Sequence, residues 1–202
     1  MRNFWSVLVS RLYKYRYIVL SILLLIILYI IIYILPIFGL YALESSAIKY
    51  SYPNEGGTVV FEKKIEDKKV IILKTESNIY YVKSLERNCG IFYCLVVVDR
   101  IDKQTEDNKM MFAWTASRDK GSLYDTIFAI ITLDKDIQKI VVSNEDTPST
   151  VPLEEVKENS TVYFVMDVKN GYSAHYSYLN SVDVTDFTFR GLNSDGEVVS
   201  IN

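Results

Sequence analysis

Two cysteines, one histidine and a Ser-x-x-Lys match are the residues of this chain best suited to chemistry. Cys89 and Cys94 flank Gly90-Ile91-Phe92-Tyr93. One reading is a disulfide that closes a tight loop in an oxidising compartment, contributing about 2 kcal/mol through loop closure. Their odd separation puts the side chains on opposite faces of a straight strand, so pairing needs the turn that Gly90 permits. The other reading is a pair of buried thiols. Redox catalysis normally uses Cys-x-x-Cys, and no further ligand stands nearby to complete a metal site. Ser117-Arg118-Asp119-Lys120 has the spacing at which a lysine one helical turn away activates a serine nucleophile. Here Ser117 opens a polar turn that ends at Gly121, and no Lys-Thr-Gly strand follows, so the match reads as chance. Tyr178-Leu179-Asn180, a Tyr-x-Asn match, reads the same way.

His175 is the single histidine, which excludes a two-His metal site within one chain. A general base needs a nucleophile and an orienting acid at hand, and the stretch Gly171-Tyr172-Ser173-Ala174-His175-Tyr176-Ser177-Tyr178 offers neither. It reads as a partly exposed, aromatic-rich strand or loop; the alternative is a ligand contact, with Tyr172, Tyr176 and Tyr178 as a recognition surface. Asp134-Lys135-Asp136 reads as a solvated turn, since a calcium loop needs more oxygen ligands and a flexible glycine. Asn159-Ser160-Thr161 is a glycosylation sequon only in a eukaryotic secretory pathway. The expectation is therefore no catalytic residue, no metal and no cofactor.

The elements that carry these residues begin with an anchor. No charged residue occurs between Tyr17 and Leu43. Crossing an apolar core of about 30 Å takes about 20 helical residues, and residues 18–37 supply them, dominated by Leu and Ile. Tyr13, Tyr15 and Tyr17 stand at one end, and Tyr33, Phe38 and Tyr41 at the other, as interfacial belts do. Pro36 and Gly39 are expected to end or kink the helix. Arg2, Arg11, Lys14 and Arg16 all precede the run and Glu44 follows it, so positive-inside bias places the N-terminus in the cytoplasm and the rest outside. A cleaved signal peptide is the rival, but its apolar region is about 7–15 residues, shorter than this one. No cysteine follows the run closely enough for a lipoprotein, and no second apolar stretch suggests a multi-pass protein. The expected division is a cytoplasmic tail (1–16), a transmembrane anchor (17–43), a stalk (44–57) and an extracytoplasmic domain (58–202).

The domain is acidic. After the anchor, 18 basic residues face all 25 acidic ones, a net charge of −7. That argues against nucleic acid, which needs a basic footprint, and against electrostatic docking on an anionic bilayer. Strands are expected over residues 58–63, 69–75, 79–85, 91–99, 110–116, 127–133, 137–143, 161–168, 186–192 and 197–201, with turns at 53–57 and 66–68. The continuous apolar run 91–99 reads as a strand covered on both faces. Asp195-Gly196 marks a hairpin. Residues 153–156 could form one helical turn, and nothing else after Leu43 has a helical period. About ten short strands read as an all-β, mostly antiparallel, sandwich-like domain or a barrel.

Residues 124–201 add a resemblance. Phe128-Ala129-Ile130-Ile131-Thr132-Leu133-Asp134-Lys135-Asp136-Ile137-Gln138-Lys139-Ile140-Val141-Val142 is similar to a pattern that opens aromatic-Gly, with Ala129 in place of the glycine. Val162-Tyr163-Phe164-Val165 and the closing pair around Asp195-Gly196 follow in order. In this the chain resembles small membrane-anchored envelope proteins and lipoproteins of unknown function from low-GC Gram-positive bacteria. The resemblance implies a fold and a cell-envelope location and transfers no catalytic residue. The expected function is a non-enzymatic, single-pass envelope protein whose β domain contacts another protein or the cell wall. The alternative is an accessory subunit of a secretion or conjugation machine, whose outer domain would pack a long helix on a sheet. An envelope hydrolase is a third reading and requires a nucleophile and base in one cleft.

Overall fold

The computed structural model describes residues 2–53, 56–118, 121–145 and 151–202, with the backbone alone for residues 2–14. Part of the turn expected at 53–57, and Asp119 and Lys120 of the Ser-x-x-Lys match, lie outside the described residues. Helix α1 (Arg2–Tyr29) runs into a π turn (Ile30–Ile34) and a 3-10 turn (Leu35–Phe38). Within this rod Tyr15–Phe38, 24 residues, is long and apolar enough to cross a membrane, and none of its most apolar stretch is buried inside the protein. Leu loses little in a helix, and in an apolar surrounding a helix satisfies its own backbone polar groups. Gly39 ends the rod. Its φ of 73° is the left-handed cap, and its N–H returns to the Pro36 carbonyl at 3.0 Å.

A mostly antiparallel β domain follows. β1 (Leu40–Tyr41), β2 (Gly57–Ile65), β3 (Lys68–Thr75), β4 (Tyr80–Asn88) and β5 (Phe92–Arg100) form one sheet in the order β1-β5-β4-β3-β2. β6 (Lys103–Gln104), β7 (Met110–Arg118), β8 (Leu123–Thr132) and β11 (Tyr172–Asn180) form a second, ordered β11-β8-β7-β6. β9 (Lys139–Ser143), β10 (Tyr163–Asp167), β12 (Thr188–Leu192) and β13 (Val198–Ile201) form a third, ordered β10-β9-β12-β13. The strands thus group into three sheets, where the sequence had suggested the two of a sandwich or a closed barrel.

Two cores show how the sheets pack. Phe128, Ile130, Met110 and Phe112 of the second sheet meet Ile140, Val142, Met166 and Phe189 of the third. The alternate residues Ile127, Ala129, Ile131 and Ala113 of the same strands meet Val70, Ile72, Val82 and Val97 of the first. Successive side chains on a strand point to opposite faces, so the second sheet is the middle layer, dry on both sides. Its strand β8 buries every residue from Asp125 to Ile131. Residues 91–99, expected to be the strand covered on both faces, are a correction. They form β5, where Val97 alone is fully buried. β5 lies next to the sheet edge, and its outer side chains Tyr93 and Leu95 are covered only by β1 and the helix that follows it.

That helix, α2 (Glu44–Tyr50), occupies the expected stalk and corrects it: Ala47 packs with Tyr41 and Leu85 on the outer face of the first sheet. A second short helix, α3 (Leu153–Asn159), buries Val156. Each helix is seven residues and buries one, too little to show a period in sequence. The hairpin at Asp195-Gly196 is present between β12 and β13. Asn193 Oδ1 accepts the N–H groups of Asp195 and Glu197, and Gly196 takes φ 83°.

Lys83 holds α2 down. It stands on β4 opposite Ile71, with no exposed surface. Its ammonium donates to the carbonyls of Ile48 (2.9 Å), Ser51 (3.1 Å) and Pro53 (3.2 Å), and the Ser51 hydroxyl lies at 3.3 Å. These acceptors belong to the end of α2 and the segment after it. Burial pushes Lys83 down to about 8, while four surrounding oxygens favour the charged form. Lys69 adds an ion pair to Glu44 of α2 at 2.5 Å. Lys83→Met is expected to cost about 2–4 kcal/mol, because it strands buried carbonyls that no other donor reaches. Urea unfolding checks the loss, and trypsin should cut faster at Lys49. An unchanged midpoint would reject the role given to Lys83.

Candidate functional site

The β2–β3 turn, the end of β4 and the start of α2 enclose a cleft of about 500 Å³. Its walls are charged: Lys63, Lys64, Lys68, Lys69 and Arg87 against Glu44, Glu62, Asp67 and Glu86, with Tyr93 and Leu85 as the apolar part. Alternation along β3 explains why two neighbouring lysines do different jobs. Lys69 points outward, to Glu44 at 2.5 Å and Glu62 at 2.9 Å. Lys68 points inward with Val70 and Ile72, and is 4% exposed.

Lys68 is the buried centre of a polar cluster that reaches the surface at Glu86 and Tyr178. Across the strands it faces Glu86, which faces Cys94 in turn. Its ammonium bonds the Glu86 carboxylate and lies 5.8 and 6.0 Å from the ring centroids of Tyr176 and Tyr178. Tyr176 donates its hydroxyl to the buried Asp125 carboxylate. Tyr176 and Tyr178 meet edge to face at 5.3 Å. Burial opposes charge on Lys68, but the hydrogen bond and charge of Glu86 outweigh it and raise its pKa. Burial and the bond to Asp125 push the Tyr176 phenol well up. Cys94 Sγ lies 3.6 Å from Glu86 Oε1, and burial with that carboxylate pushes its thiol up to about 11. At neutral pH this cluster holds the Lys68 cation, a neutral Tyr176 phenol and a protonated Cys94 thiol, which suits binding of charge and of polar groups.

The expected candidates fall elsewhere. Cys89 and Cys94 are free thiols in this structure, the first exposed and the second half-buried. The β4–β5 register is the reason: Asn88 pairs with Phe92 and Glu86 with Cys94, so Cys89 sits in the turn and never faces Cys94. Ser117 lies in strand β7, not at the start of a helix. Ser117 and Tyr178 share a row of the middle sheet, on either side of Asp125. His175 pairs with Phe128 and so faces the opposite side of that sheet. Its ring packs on Phe164 with centroids 4.3 Å apart. Burial first, then the charge of Lys63, pushes His175 down to about 4. Asp134 sits 3.7 Å from the Lys109 ammonium, and its Oδ1 accepts the Asp136 N–H. The described residues contain no group of three or more His, Cys, Asp or Glu side chains placed to hold a metal ion.

Sequence reasoning missed the Lys68 cluster, whose members are spread over β3, β4, β5, β8 and β11. The signal was partial: a tyrosine pair was singled out, but nothing marked Lys68 or Asp125 as its neighbours. No family model, curated protein or solved structure matches this chain.

The thiols should separate kinetically. Cys89 is exposed and Cys94 is not, so a thiol reagent should modify Cys89 rapidly in the native protein and Cys94 only as the fold opens. Two thiols should titrate in denaturant without reductant, and fewer would restore the disulfide. A second test concerns acid. His175 protonates near 4 when folded and at 6.5 in its unperturbed state. The unfolded chain therefore binds the extra proton across that window, and stability falls as pH drops from 6.5 to 4. His175→Phe should flatten this part of the Tm–pH curve, and identical slopes would show the group is not buried neutral.

Proposed function

We propose that this protein is a single-pass membrane-anchored envelope protein. Its tail is cytoplasmic and its sandwich-like β domain, extracytoplasmic and non-enzymatic, binds a protein or cell-wall partner. One observation carries the reading: the apolar helix Tyr15–Phe38 enters the β domain with no free linker. Gly39 passes the chain into β1, β1 pairs with β5, and α2 is held by Lys83 and Lys69. A signal peptide is cut away from its domain, whereas here the exit of the helix is a strand of the first sheet. Arg2, Arg11 and Lys14 before the span, with Arg16 at its first turn, set the orientation. The resemblance of residues 124–201 to envelope proteins points the same way.

The charged cleft is the binding surface in this reading. Its ion-paired walls and buried Lys68 fit a polar partner held at a membrane surface, where anchoring raises the local concentration of both. The domain charge of −7 disfavours nucleic acid. A secretion-machine subunit of the kind considered above would pack a long helix on its sheet. Here α2 and α3 are seven residues each, so no observation favours that class.

Protease added to intact cells should remove the β domain, and full protection in sealed right-side-out cells would overturn the orientation. In a knockout strain, Ser117→Ala and His175→Ala should complement fully, while a form released from the membrane should fail. Loss of complementation by either point variant, at normal folding and membrane level, would move the hydrolase reading to the front.

A further inference from the structure

We infer that the β domain does not stand clear of the bilayer but inserts the tip of its β4–β5 hairpin, together with Leu43 and Tyr50, into the lipid interface. The inference rests on the reading that Tyr15–Phe38 crosses a membrane. It begins with a reversal of direction. After the left-handed cap at Gly39, residues 41–50 fold back beside the rod: Ile31 and Ile32 of the helix line a groove together with Leu43 and Tyr50. At 1.5 Å per residue, Ile31 lies about 10 Å before the end of the helix at Phe38. The 24 residues of the span measure about 36 Å, one turn more than a core of about 30 Å. Ile31 and Ile32 therefore lie inside the apolar layer, and the groups against them lie at its boundary.

The β4–β5 hairpin points the same way. Leu40 pairs with Cys94 and Tyr41 with Tyr93. Continuing that antiparallel register carries Leu43 to the level of Ile91, at the tip of the hairpin. As β1 descends along the helix, β5 is followed backwards to its turn, so the turn descends as well. Beside the exposed Arg87 and Asn88, this level carries exposed apolar side chains. Ile91 is 62% exposed, Leu43 63% and Tyr50 58%. Gly90 allows the tight tip with φ 73°. Exposed apolar groups at the level of the apolar helix, with Tyr50 at the edge, are the pattern of an interfacial contact. The occupant is lipid, because the patch is continuous with the lipid-facing surface of the helix. The contact is apolar, so it needs no anionic headgroup and fits an acidic domain.

The test uses the full chain reconstituted in phosphatidylcholine vesicles that carry a nitroxide lipid, labelled at shallow depth for the probes at 91, 43, 89 and 133 and deep in the acyl chain for the probe at 25. A fluorescent probe is placed at Ile91→Cys or Leu43→Cys in a Cys89→Ser background. Native Cys89, two residues from Ile91, serves as a second probe site that needs no substitution at the tip. Controls are Leu25→Cys within the span and Leu133→Cys at the far end of the middle sheet. Insertion to about 5–10 Å should cost the probes at 91, 43 and 89 about half their emission, and the probe at 133 none. The loss should be the same in high salt and at every protein-to-lipid ratio. Quenching at Leu25 with none at 91 and 89 overturns the inference and leaves the anchor standing. Shielding at 91 that grows with protein density assigns the patch to a second copy and also overturns it. An unquenched probe at Leu25 removes the anchor itself, and the inference falls with it.

Discussion

Strand β8 can be satisfied in only one kind of environment. From Ile127 to Ile131 it presents apolar side chains to both faces without a break, and all are buried. Burying one such side chain is worth about 1.5–3 kcal/mol, so exposing either face would forfeit several of them. The sheet that contains β8 must be covered twice. The first sheet covers the Ile127–Ala129–Ile131 face and the third covers the Phe128–Ile130 face. The small residues Ala113, Ala129 and Ala174 share the first of these interfaces, and a cluster of phenylalanines fills the second. Phe128 stands edge-on to both Phe164 and Phe187, at 5.0 and 4.9 Å. The His175 ring is drawn into this aromatic side and loses its charge.

Covering the middle layer leaves two outer faces to manage, and a buried cation appears on each. On the first sheet Lys83 gathers the end of α2 and the strand that leaves it. On the third sheet Arg190, 1% exposed, bonds Ser143 at 2.7 Å and the carboxylate of Glu145, which Ser160 also meets at the end of α3. Burial alone would raise the Glu145 pKa, but Ser143 and Arg190 outweigh it and lower it. Buried charges add little net stability and cost much when broken. Their effect here is registry, since each cation fits one arrangement of the short helix laid over its sheet.

How much of this was legible follows from how local each signal is. The apolar helix was readable because 25 consecutive residues, 18–42, carry no charge. The strand runs at 58–63, 69–75, 110–116, 127–133 and 161–168 were readable from composition and alternation, and Asp195-Gly196 from one dipeptide. Sheet membership was not readable, because β11 pairs with β8, and β12 with β9, across more than 40 residues, and pairing at that range leaves no local trace. Run 91–99 was misjudged for the same reason: apolar composition does not say which sheet a strand joins. Lys83 sits between Tyr81 and Leu85 on its face, a hint that this lysine was inside. The candidate site was least legible, since Lys68, Glu86, Asp125 and Tyr176 come from four strands and none is unusual in its own segment.

β1 is two residues long and borders a nine-residue strand, yet it occupies the position where the first sheet would otherwise end in bare N–H and C=O groups. An unpaired edge is a template for another chain. A recombinant fragment that begins after Leu43 gives up β1 and opens β5 to such pairing, beside the apolar surface that Tyr41 had covered. Beginning at Gly39 keeps Tyr93 and Cys94 paired and leaves the rest of that edge as it is in the full chain. Two residues at the exit of the helix thus set how much of β5 a second chain can reach.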